Sequence, residues 1–530
     1  MKKRILSFFL VLAFLCALLF SFTACADEPL PSSPDEDNGD QKEDTPESGV
    51  IGKELPMNMI NYSADALIYL LPDKDLTENE VKTRIDNAMA QLFENTPADA
   101  LLLNVNYSLS LIPSECYDTA WQRADSTPIA DTEHGDLWYG QFARAHARGI
   151  EPYAYAMAAA KKYGAEVWFS VRMNDYHYIG DYDSAVSLFA KEHPEMRLDN
   201  GVLDFAYPEV RAYVKDYILE LCTAYDIDGI EYDMLRGPNY FRPEVSTAER
   251  SRILREFLAE LKGEIDKISA AKGKEIKILA RAYSDAASDE KYGFAPELWA
   301  QDGSIDILVL SNAFMPTDYD IDIEEWRAKL GESACKIYGG ADFAARCTRE
   351  WAPDALGRAE RMDTELLRGF ATSVLGRGGD GLYLFNLFMM DGGDLDLGAL
   401  DPNSEGYRRF VCSYKEPAAT STAMPWHLSS GESRTVTLFT DDFDDGVLRI
   451  GFRGKAPRVK IQGISFLGSV QDSVLWEDLP EVAPFVTAWE ATAPRLFTEM
   501  IDGTDAEDGY FTFTIVASGD CDILWVEIRA

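Results

Sequence analysis

The feature of this sequence that most constrains its fold is a long alternation of strand-like apolar runs with amphipathic helices, from about residue 57 to about residue 400. Residues 166–172, for example, form a compact strand-like run. Residues 208–221 place apolar side chains at i, i+3, i+4 and i+7, which is the period of a helix. Repeated β-then-α units of this kind predict a parallel sheet covered by helices.

Two architectures fit such a repeat, namely a closed (β/α)₈ barrel and an open doubly wound sheet. No strand-like run ends in a Gly-rich phosphate loop, and polar residues end nearly every run. Both observations favour the barrel, in which side chains at the strand ends build the site. We therefore predict an α/β fold, a (β/α)₈ TIM barrel, over residues 56–425.

The pattern changes to an alternation of period two from about residue 430, as in residues 435–439 and 510–516. Short alternating strands joined by Gly- and Asp-rich turns predict a small all-β sandwich over residues 426–530. Such a domain either binds sugar or braces the barrel, and bracing is the simpler interpretation.

The amino-terminal segment reads as an export signal. Residues 1–24 begin with three basic residues, continue with an apolar stretch and end in Phe-Thr-Ala before Cys25. This resembles a bacterial lipobox, which implies a lipoprotein with a palmitate-type anchor on Cys25; ordinary cleavage that leaves Cys25 free is the alternative. Residues 25–55 are acidic and Pro-rich, so we expect a disordered tether on the outer face of the cell membrane.

The charge balance excludes one class of partner. The chain carries a net charge of −40, and such a field repels phosphate backbones, so we expect no nucleic-acid partner. The eight cysteines show no zinc spacing, and no EF-hand pattern is present. We expect no metal and no cofactor; the expected partners are a carbohydrate substrate and the membrane, reached through Cys25.

Polar side chains cluster at the carboxyl ends of the predicted strands. Side chains on a barrel strand alternate between the lumen and the helix layer, and active sites lie at the carboxyl-terminal mouth. A ring of polar residues on lumen-facing positions is hard to explain as packing. Its members, in chain order, are Asn104, Asn106, Ser170, Arg172, Asn174, Glu231, Asp233, Arg281, Tyr283, Asn312, Asp342 and Asn386.

Glu231 and Asp233 are the most informative pair. At i and i+2 they share one face of strand 4, and Arg172 and Arg281 should flank them on the neighbouring strands. A neighbouring cation favours the ionised carboxylate. We predict that Asp233 is the nucleophile or base and that Glu231, one layer deeper, orients it while held by an arginine. A buried structural ion-pair network is the alternative.

The proton donor is less constrained by the sequence. Asp342 is the first candidate, with Asp175 and Asp285 as rivals, and each of the three is also interpretable as a loop-capping aspartate. His177 is a candidate for binding a sugar hydroxyl, and a surface histidine is the alternative.

The predicted substrate-binding residues surround this pair. Tyr240 and Phe241 are candidates for a stacking platform, with ordinary loop packing as the alternative, and Trp168 is placed among the rings near the mouth. The arginines indicate an anionic sugar such as a uronate, unless they serve the carboxylates. The full set is Arg172, Asn174, Asp175, His177, Arg236, Tyr240, Arg281, Tyr283, Asn312 and Asn386.

Two segments carry a family resemblance. One covers residues 167–175 (VWFSVRMND), and the other covers residues 203–211 (LDFAYPEVR) and 225–236 (YDIDGIEYDMLR). They resemble the glycosylhydrolase-like family 10 proteins, a group of predicted barrel hydrolases. The resemblance implies glycoside hydrolysis but provides no assigned catalytic pair. Some related barrels place an aspartate nucleophile at the end of strand 4, which agrees with Asp233.

The sequence therefore predicts a surface-tethered glycoside hydrolase that acts on oligo- or polysaccharide. Two alternatives stay open. One is a carbohydrate-binding lipoprotein without catalysis that feeds a transporter, and the other is a surface scaffold with a degenerate barrel. A catalyst needs a second carboxyl across the lumen from Asp233, within about 5–10 Å, whereas a binder needs only aromatic rings and amides there.

Overall fold

A computed structural model gives the architecture of the chain. The structure describes residues 58–71, 76–94, 96–121, 139–175, 177, 179, 185–313, 316–319, 321–346, 359–387, 414–415, 426–439, 445–455, 457–461, 464–467, 496–502 and 510–529.

Eight parallel strands close into a barrel, as the sequence predicts. Their order around the ring is β1-β8-β7-β6-β5-β4-β3-β2, so each strand pairs with its neighbours in the chain and β1 pairs with β8. The strands are β1 (Asn58–Tyr62), β2 (Ala100–Asn104), β3 (Glu166–Arg172), β4 (Gly229–Asp233), β5 (Lys277–Tyr283), β6 (Ile307–Ser311), β7 (Lys336–Ala341) and β8 (Gly381–Phe385).

Helices connect the strands and cover the outside of the barrel. Their starts follow local capping rules: Thr77 and Glu80 form a capping box, and the Ser246 hydroxyl accepts from the Glu249 amide. The helices are α1 (Ala64–Tyr69), α2 (Glu78–Phe93), α3 (Tyr139–Ala147), α4 (Pro152–Lys162), α5 (Leu188–Glu192), α6 (Pro208–Ala224), α7 (Thr247–Lys272), α8 (Ala286–Tyr292), α9 (Pro296–Gln301), α10 (Ile323–Leu330) and α11 (Thr364–Leu375).

Strand register places the polar residues in the lumen. Ser170 pairs with Glu231, one layer below the pair Arg172 and Asp233. Asp233 also pairs with Arg281 on β5. Register partners in a parallel sheet point to the same face, so these side chains share the lumen. The prediction that two arginines flank Asp233 on neighbouring strands is confirmed.

The floor of the lumen is filled by Trp168, which pairs in register with Gly229. A Cβ on Gly229 would lie 2.3 Å from the Trp168 ring, so only glycine fits there. Trp168 is fully buried, and its indole nitrogen donates to Glu166 (3.0 Å). The expectation that this ring lies near the mouth is wrong, because it lies two pleats below Arg172.

Gly229→Ala should lower the free energy of unfolding by about 1–3 kcal/mol, because the added methyl must displace the Trp168 ring from a packed lumen. Gly263 provides the matched control. It is exposed in α7, and a Cβ added there would meet nothing within 4 Å, so Gly263→Ala should stabilise the chain by about 0.5–1 kcal/mol. Urea unfolding of both variants measures the difference; equal effects would contradict this packing.

The carboxyl-terminal part is the predicted all-β sandwich. One sheet has the order β9-β16-β11-β14, and the other has Tyr414–Lys415, β10, β15, β12 and β13. Side chains from both sheets share one apolar core. The strands are β9 (Trp426–Leu428), β10 (Ser433–Phe439), β11 (Asp445–Gly454), β12 (Arg458–Ile461), β13 (Ile464–Leu467), β14 (Leu496–Asp502), β15 (Tyr510–Val516) and β16 (Cys521–Arg529).

The sandwich packs against the last helix of the barrel. The buried Trp525 ring of β16 fills space beside Gly369 of α11 and Gly451 of β11, where a Cβ on either glycine would clash with it. Arg449 of β11 forms a buried salt bridge with Asp363, whose carboxylate also caps the start of α11 (Arg449 Nη1 to Asp363 Oδ2, 2.8 Å). These contacts agree with bracing; sugar binding by this domain stays untested.

Residues 1–57 lie outside the described residues, and with them the predicted leader, tether and Cys25. Within the part that the structure describes, no helix combines the length and the apolar character needed to cross a bilayer. Cys116, Cys222, Cys335 and Cys521 are free thiols.

Candidate active site

Asp233 ends β4 at the mouth of the barrel and is 1% exposed. Its Oδ1 atom accepts from the Arg281 guanidinium (2.9 Å) and from the Leu235 amide (3.1 Å). Its Oδ2 atom is buried and has no hydrogen-bond partner among the described residues. One oxygen is therefore fixed by the protein, and the other lacks the donor that a buried carboxylate oxygen normally has.

Arg281 is fully buried and hydrogen-bonded on all three nitrogens. Besides Asp233, it donates to Ser311 Oγ (2.9 Å) and to the carbonyl oxygens of Asn312 (2.8 Å) and Ala313 (3.1 Å). Its guanidinium carbon also lies 4.1 Å from the centre of the Phe385 ring. Arg281 thus serves the carboxylate and the strand ends, which is one of the two roles that the sequence leaves open for the arginines.

Glu231 lies in the layer below and is completely buried. Its Oε1 atom accepts from the Tyr383 hydroxyl (2.6 Å) and its Oε2 atom from the Asn61 amide (3.0 Å). The prediction that an arginine holds Glu231 is wrong, because a tyrosine and an asparagine from β8 and β1 occupy both oxygens. Burial and the charge of Asp233 raise the pKa of Glu231 to about 7.

The raised pKa of Glu231 should make the stability of the chain depend on pH. Glu231 takes up its proton at higher pH in the folded chain than in the unfolded chain, where its usual pKa is 4.5. Between about pH 4.5 and 7 the folded state binds more protons, so the stability of the wild type falls as the pH rises. Between these two pH values, we expect the free energy of unfolding of the wild type to fall on the order of 1–3 kcal/mol further than that of Glu231→Gln. Urea unfolding of both proteins at the two pH values measures this difference. Equal changes in the free energy of unfolding of the wild type and of Glu231→Gln would contradict the prediction.

A second network joins the ends of β3 and β4. Arg172 Nη1 donates to Asp175 Oδ2 (2.9 Å), and Asp175 Oδ1 accepts from the His177 ring (2.5 Å). Arg236 Nη2 lies 2.9 Å from His177 Nε2. Because a guanidinium only donates, His177 Nε2 must be the acceptor, and the Nδ1 proton then points to Asp175. The structure thus brings four of the predicted site residues together.

The charges in this network favour an ionised Asp175 and a neutral His177. Burial alone would raise the pKa of Asp175, but the Arg172 charge, the hydrogen bond from the His177 ring and the Arg236 charge outweigh it and hold the pKa below its usual value. Burial lowers the pKa of His177, and the Arg236 charge lowers it further, against the opposing effect of Asp175. An ionised Asp175 cannot supply a proton, so it is excluded as the donor.

Asp65 belongs to this region, although the sequence does not predict it as a site residue. It lies in the first turn of α1, directly after β1, and its Oδ1 atom accepts a hydrogen bond from the Tyr107 hydroxyl. Arg172 lies over the Tyr107 ring, 4.5 Å from its centre. Burial raises the pKa of Asp65, although Arg172, Tyr107, His177 and Arg236 oppose it. Its only signal in the sequence is an acid in a helix first turn, which is a common stabilising position.

Asp342 and Asn386 meet at the ends of β7 and β8. Asp342 Oδ1 accepts from Asn386 Nδ2 (3.2 Å) and from the Phe343 amide (2.8 Å). Asn386 has φ 55°, the only positive φ of a non-glycine residue in the described part of the chain. Asparagine adopts this left-handed conformation more readily than most residues, because its short amide can bond locally.

Other predicted site residues have structural contacts. The Asn174 amide bonds the backbone of Leu203 and Asn239, so it ties two loops together. The predicted platform does not fit, because Tyr240 (1% exposed) and Phe241 are both buried.

Tyr283 is also buried and stacks on Tyr292 (5.5 Å between ring centres). The Asn312 carbonyl accepts from Arg281. Asp285 caps α8 through the Ala287 and Ser288 amides, so the helix-capping alternative for this residue is the one that the contacts support.

The lumen also contains acceptor oxygens that lack donors. Asn61 Oδ1 and Asn104 Oδ1 are buried without a hydrogen-bond partner among the described residues, like Asp233 Oδ2. Asn61 contacts Ser170 Oγ (3.2 Å), and Asn104 donates to the Ser170 carbonyl (3.3 Å), so the two amides lie around the same residue. Each unsatisfied acceptor costs about 1–3 kcal/mol, which a ligand or water carrying O–H groups would recover.

The described residues contain no group of three or more His, Cys, Asp or Glu side chains arranged to hold a metal ion. The acidic residues of the lumen instead have arginine, tyrosine and amide partners.

Comparison with known proteins gives no family assignment. No family model matches the chain, and no curated protein matches it. The resemblance to the glycosylhydrolase-like family 10 proteins therefore stays a prediction.

Several solved structures of glycoside hydrolases are similar at low identity. The glycoside hydrolase domain of PgaB (BpsB) from Bordetella bronchiseptica has a TM-score of 0.40 and 13% identity, over 65% of this chain and 97% of that chain. The galactosidase domain of the alpha-galactosidase-sucrose kinase AgaSK has a TM-score of 0.37 and 11% identity, over 88% of this chain and 55% of that chain. A GH18 chitinase from Pseudoalteromonas aurantia has a TM-score of 0.33 and 12% identity, over 64% of this chain and 96% of that chain. Function must therefore be argued from the site itself.

Proposed function

We propose that this chain is a glycoside hydrolase that cleaves oligo- or polysaccharide at the mouth of its barrel, with Asp233 as nucleophile or base. The observation that carries the proposal is the asymmetry of the Asp233 carboxylate. Arg281 and the Leu235 amide fix Oδ1, whereas Oδ2 is buried without a partner among the described residues. A fixed carboxylate with one uncommitted oxygen is what attack on a sugar carbon, or on water, requires.

The surroundings of Asp233 suit this role. Arg281 cannot rotate away, because three further acceptors hold it. Glu231 occupies the layer below and is locked by Tyr383 and Asn61. The reacting oxygen is thus presented from a rigid strand end, and such preorganisation lowers the cost of reaching the transition state.

The substrate class that the polar atoms of the lumen favour is a neutral sugar rich in hydroxyl groups. Three buried lumen atoms without a partner among the described residues, Asn61 Oδ1, Asn104 Oδ1 and Asp233 Oδ2, are acceptors, so they attract O–H donors and repel a carboxylate. Arg172 and Arg281 are engaged by Asp175 and Asp233. The prediction of an anionic sugar rests on Arg172, Arg236 and Arg281; two of these three are committed to carboxylates and Arg236 contacts His177, so this proposal takes a neutral sugar instead.

The cellular setting remains part of the proposal. A lipid anchor at Cys25 and an acidic tether over residues 25–55 would hold the barrel outside the cell membrane, where polysaccharide is found.

The experiment is a screen of the soluble chain, residues 50–530, against neutral polysaccharides (xylan, galactan and mixed-linkage glucan) and polygalacturonate. Release of new reducing ends from a neutral polymer would support the proposal. Binding without cleavage across the panel would contradict it and favour the carbohydrate-binding lipoprotein. Cleavage of polygalacturonate alone would keep the hydrolase and contradict the neutral substrate class.

A further inference from the structure

We propose that Asp65 is the proton donor of this site, an inference that rests on the proposed glycosidase function. Hydrolysis by a carboxylate pair needs one ionised group and one group that carries a proton. Asp233 takes the first role in the proposal above. The second group must reach the mouth of the lumen, keep an oxygen for the proton and lack a close cationic partner.

The position of Asp65 meets the first requirement. It lies three residues after the end of β1, in the first turn of α1, and therefore at the same carboxyl-terminal face as Asp233. Around the ring β1 and β4 are separated by β2 and β3, so the two carboxyls approach the mouth from different sides. Arg172 of β3 lies on the side between them, over the ring of Tyr107, whose hydroxyl bonds Asp65.

The contacts of Asp65 meet the second requirement. Its Oδ1 atom accepts from the Tyr107 hydroxyl, and its Oδ2 atom has no hydrogen-bond partner among the described residues. Asp65 is half-buried, whereas Glu231 is completely enclosed with both oxygens occupied. Oδ2 of Asp65 can therefore hold a proton and present it to a bound substrate.

Its electrostatic environment meets the third requirement, because no ion pair joins Asp65 to a cation among the described residues. The Tyr107 hydroxyl bonds it, and the charges of Arg172 and Arg236 and the His177 ring act on it. Arg172 is engaged by Asp175, and His177 is held in the neutral form by Arg236. Burial outweighs these charges and raises the pKa of Asp65, which keeps the acid form to higher pH than for an exposed aspartate.

The rival carboxyls are less suitable. Asp175 has its two oxygens bound to Arg172 and His177. Asp285 is exposed and caps α8. Asp342 accepts on Oδ1 from the Asn386 side chain and from the Phe343 amide, so this oxygen is committed to the protein.

In the chemical step, the proton moves from Asp65 Oδ2 to the glycosidic oxygen while the bond between that oxygen and the anomeric carbon breaks. The electron pair of the bond stays on the oxygen. Asp65 becomes a carboxylate, which the Tyr107 hydroxyl and the Arg172 charge stabilise. When Asp233 is the nucleophile, its Oδ2 atom bonds to the anomeric carbon as the leaving oxygen departs; water then attacks that carbon, the bond to Asp233 breaks, and the remaining proton of the water returns to Asp65. When Asp233 is the base, it takes that proton from the water instead, and the proton passes from Asp233 to Asp65 through solvent.

The test compares Asp65→Asn with Asp342→Asn, a matched change at the sequence-predicted donor. Each soluble chain receives two glycosides of the sugar found in the screen, one with a sugar leaving group and one with 2,4-dinitrophenolate. A missing acid matters only when the leaving group needs a proton. We expect Asp65→Asn to lower turnover of the first glycoside on the order of 10²–10⁴-fold and that of the second less than about tenfold. Asp342→Asn should affect both equally.

Tyr107→Phe provides a second readout. Losing a hydrogen bond to the Asp65 carboxylate should shift the alkaline limb of the pH–rate profile to higher pH, which a purely structural role would not do. The leaving-group signature in Asp342→Asn, or equal losses on both glycosides in Asp65→Asn, would overturn the inference and leave the proposed function intact. No cleavage of either glycoside by the wild type, or unchanged turnover after Asp233→Asn, would instead remove the proposed function.

Discussion

Turnover should fall on the order of 10³-fold when Asp233 is replaced by Asn, because the amide cannot attack a sugar carbon or take a proton from water. The fold should persist, since both hydrogen bonds to this side chain go to Oδ1, and an Asn carbonyl oxygen accepts in the same place. Some stability is lost because Arg281 loses its charged partner. Reducing-end release at saturating substrate measures the effect, with circular dichroism confirming the folded state.

Asp285→Asn is the matched control for that experiment. Asp285 also follows a barrel strand, but it is exposed and caps α8, and Asn caps helices as well as Asp does. Its turnover should equal that of the wild type. If both variants kept full activity, the carboxylate of Asp233 would have no part in the chemistry.

The second large effect is expected on stability. Arg281→Met should lower the free energy of unfolding by about 3–5 kcal/mol, since it leaves the buried Asp233 carboxylate without its cation. It also removes a donor from three acceptors at the end of β6. Chemical denaturation of the soluble chain measures this change.

Two comparisons make the Arg281 result specific. Arg252→Met removes an exposed arginine that pairs with Glu249 and Glu256 on α7, and it should leave the denaturation midpoint almost unchanged, because solvent screens exposed ion pairs. The double variant Arg281→Met, Asp233→Asn should recover part of the loss, because no unpaired charge remains. A double variant as unstable as the sum of the two single variants would argue against coupling between the residues.

The barrel was predictable because its signal is repeated. A strand followed by a helix recurs around the barrel, so an uncertain assignment of one element does not change the predicted fold. The strand-like run at residues 166–172 has the same limits as β3 in the structure. The flanking of Asp233 by Arg172 and Arg281 follows from strand order and period-two alternation alone. Neither step requires knowledge of side-chain conformations.

The partners of the carboxylates were harder to predict. Tyr383 and Asn61 reach Glu231 from β8 and β1, which are distant in the chain and meet only when the barrel closes. From strand order alone, Arg281 on the neighbouring strand could bond either Glu231 or Asp233. In the structure its side chain extends toward the mouth and bonds Asp233 and the Asn312 carbonyl. Asn174 illustrates the same limit, because a loop amide that binds backbone has the same sequence pattern as one that binds substrate.

Asp65 shows why a mouth residue escapes a strand-based search. It comes from a short helix after β1, and its acid has an ordinary explanation as a first-turn residue. Its candidacy as proton donor depends on Tyr107, which lies in the loop after β2 and whose hydroxyl donates to the Asp65 carboxylate. Only the folded chain brings this helix and this loop together.

The most direct measurement of the central claim is chemical rescue of Asp233→Ala. If Asp233 is the attacking or base-supplying carboxylate, the truncated variant should be inactive, and azide should restore turnover of an activated aryl glycoside by entering the vacated space, with a glycosyl azide as the product. Wild-type turnover should not depend on azide. Full activity of Asp233→Ala without azide, or an inactive variant that binds substrate and forms no glycosyl azide at any azide concentration, would contradict the account.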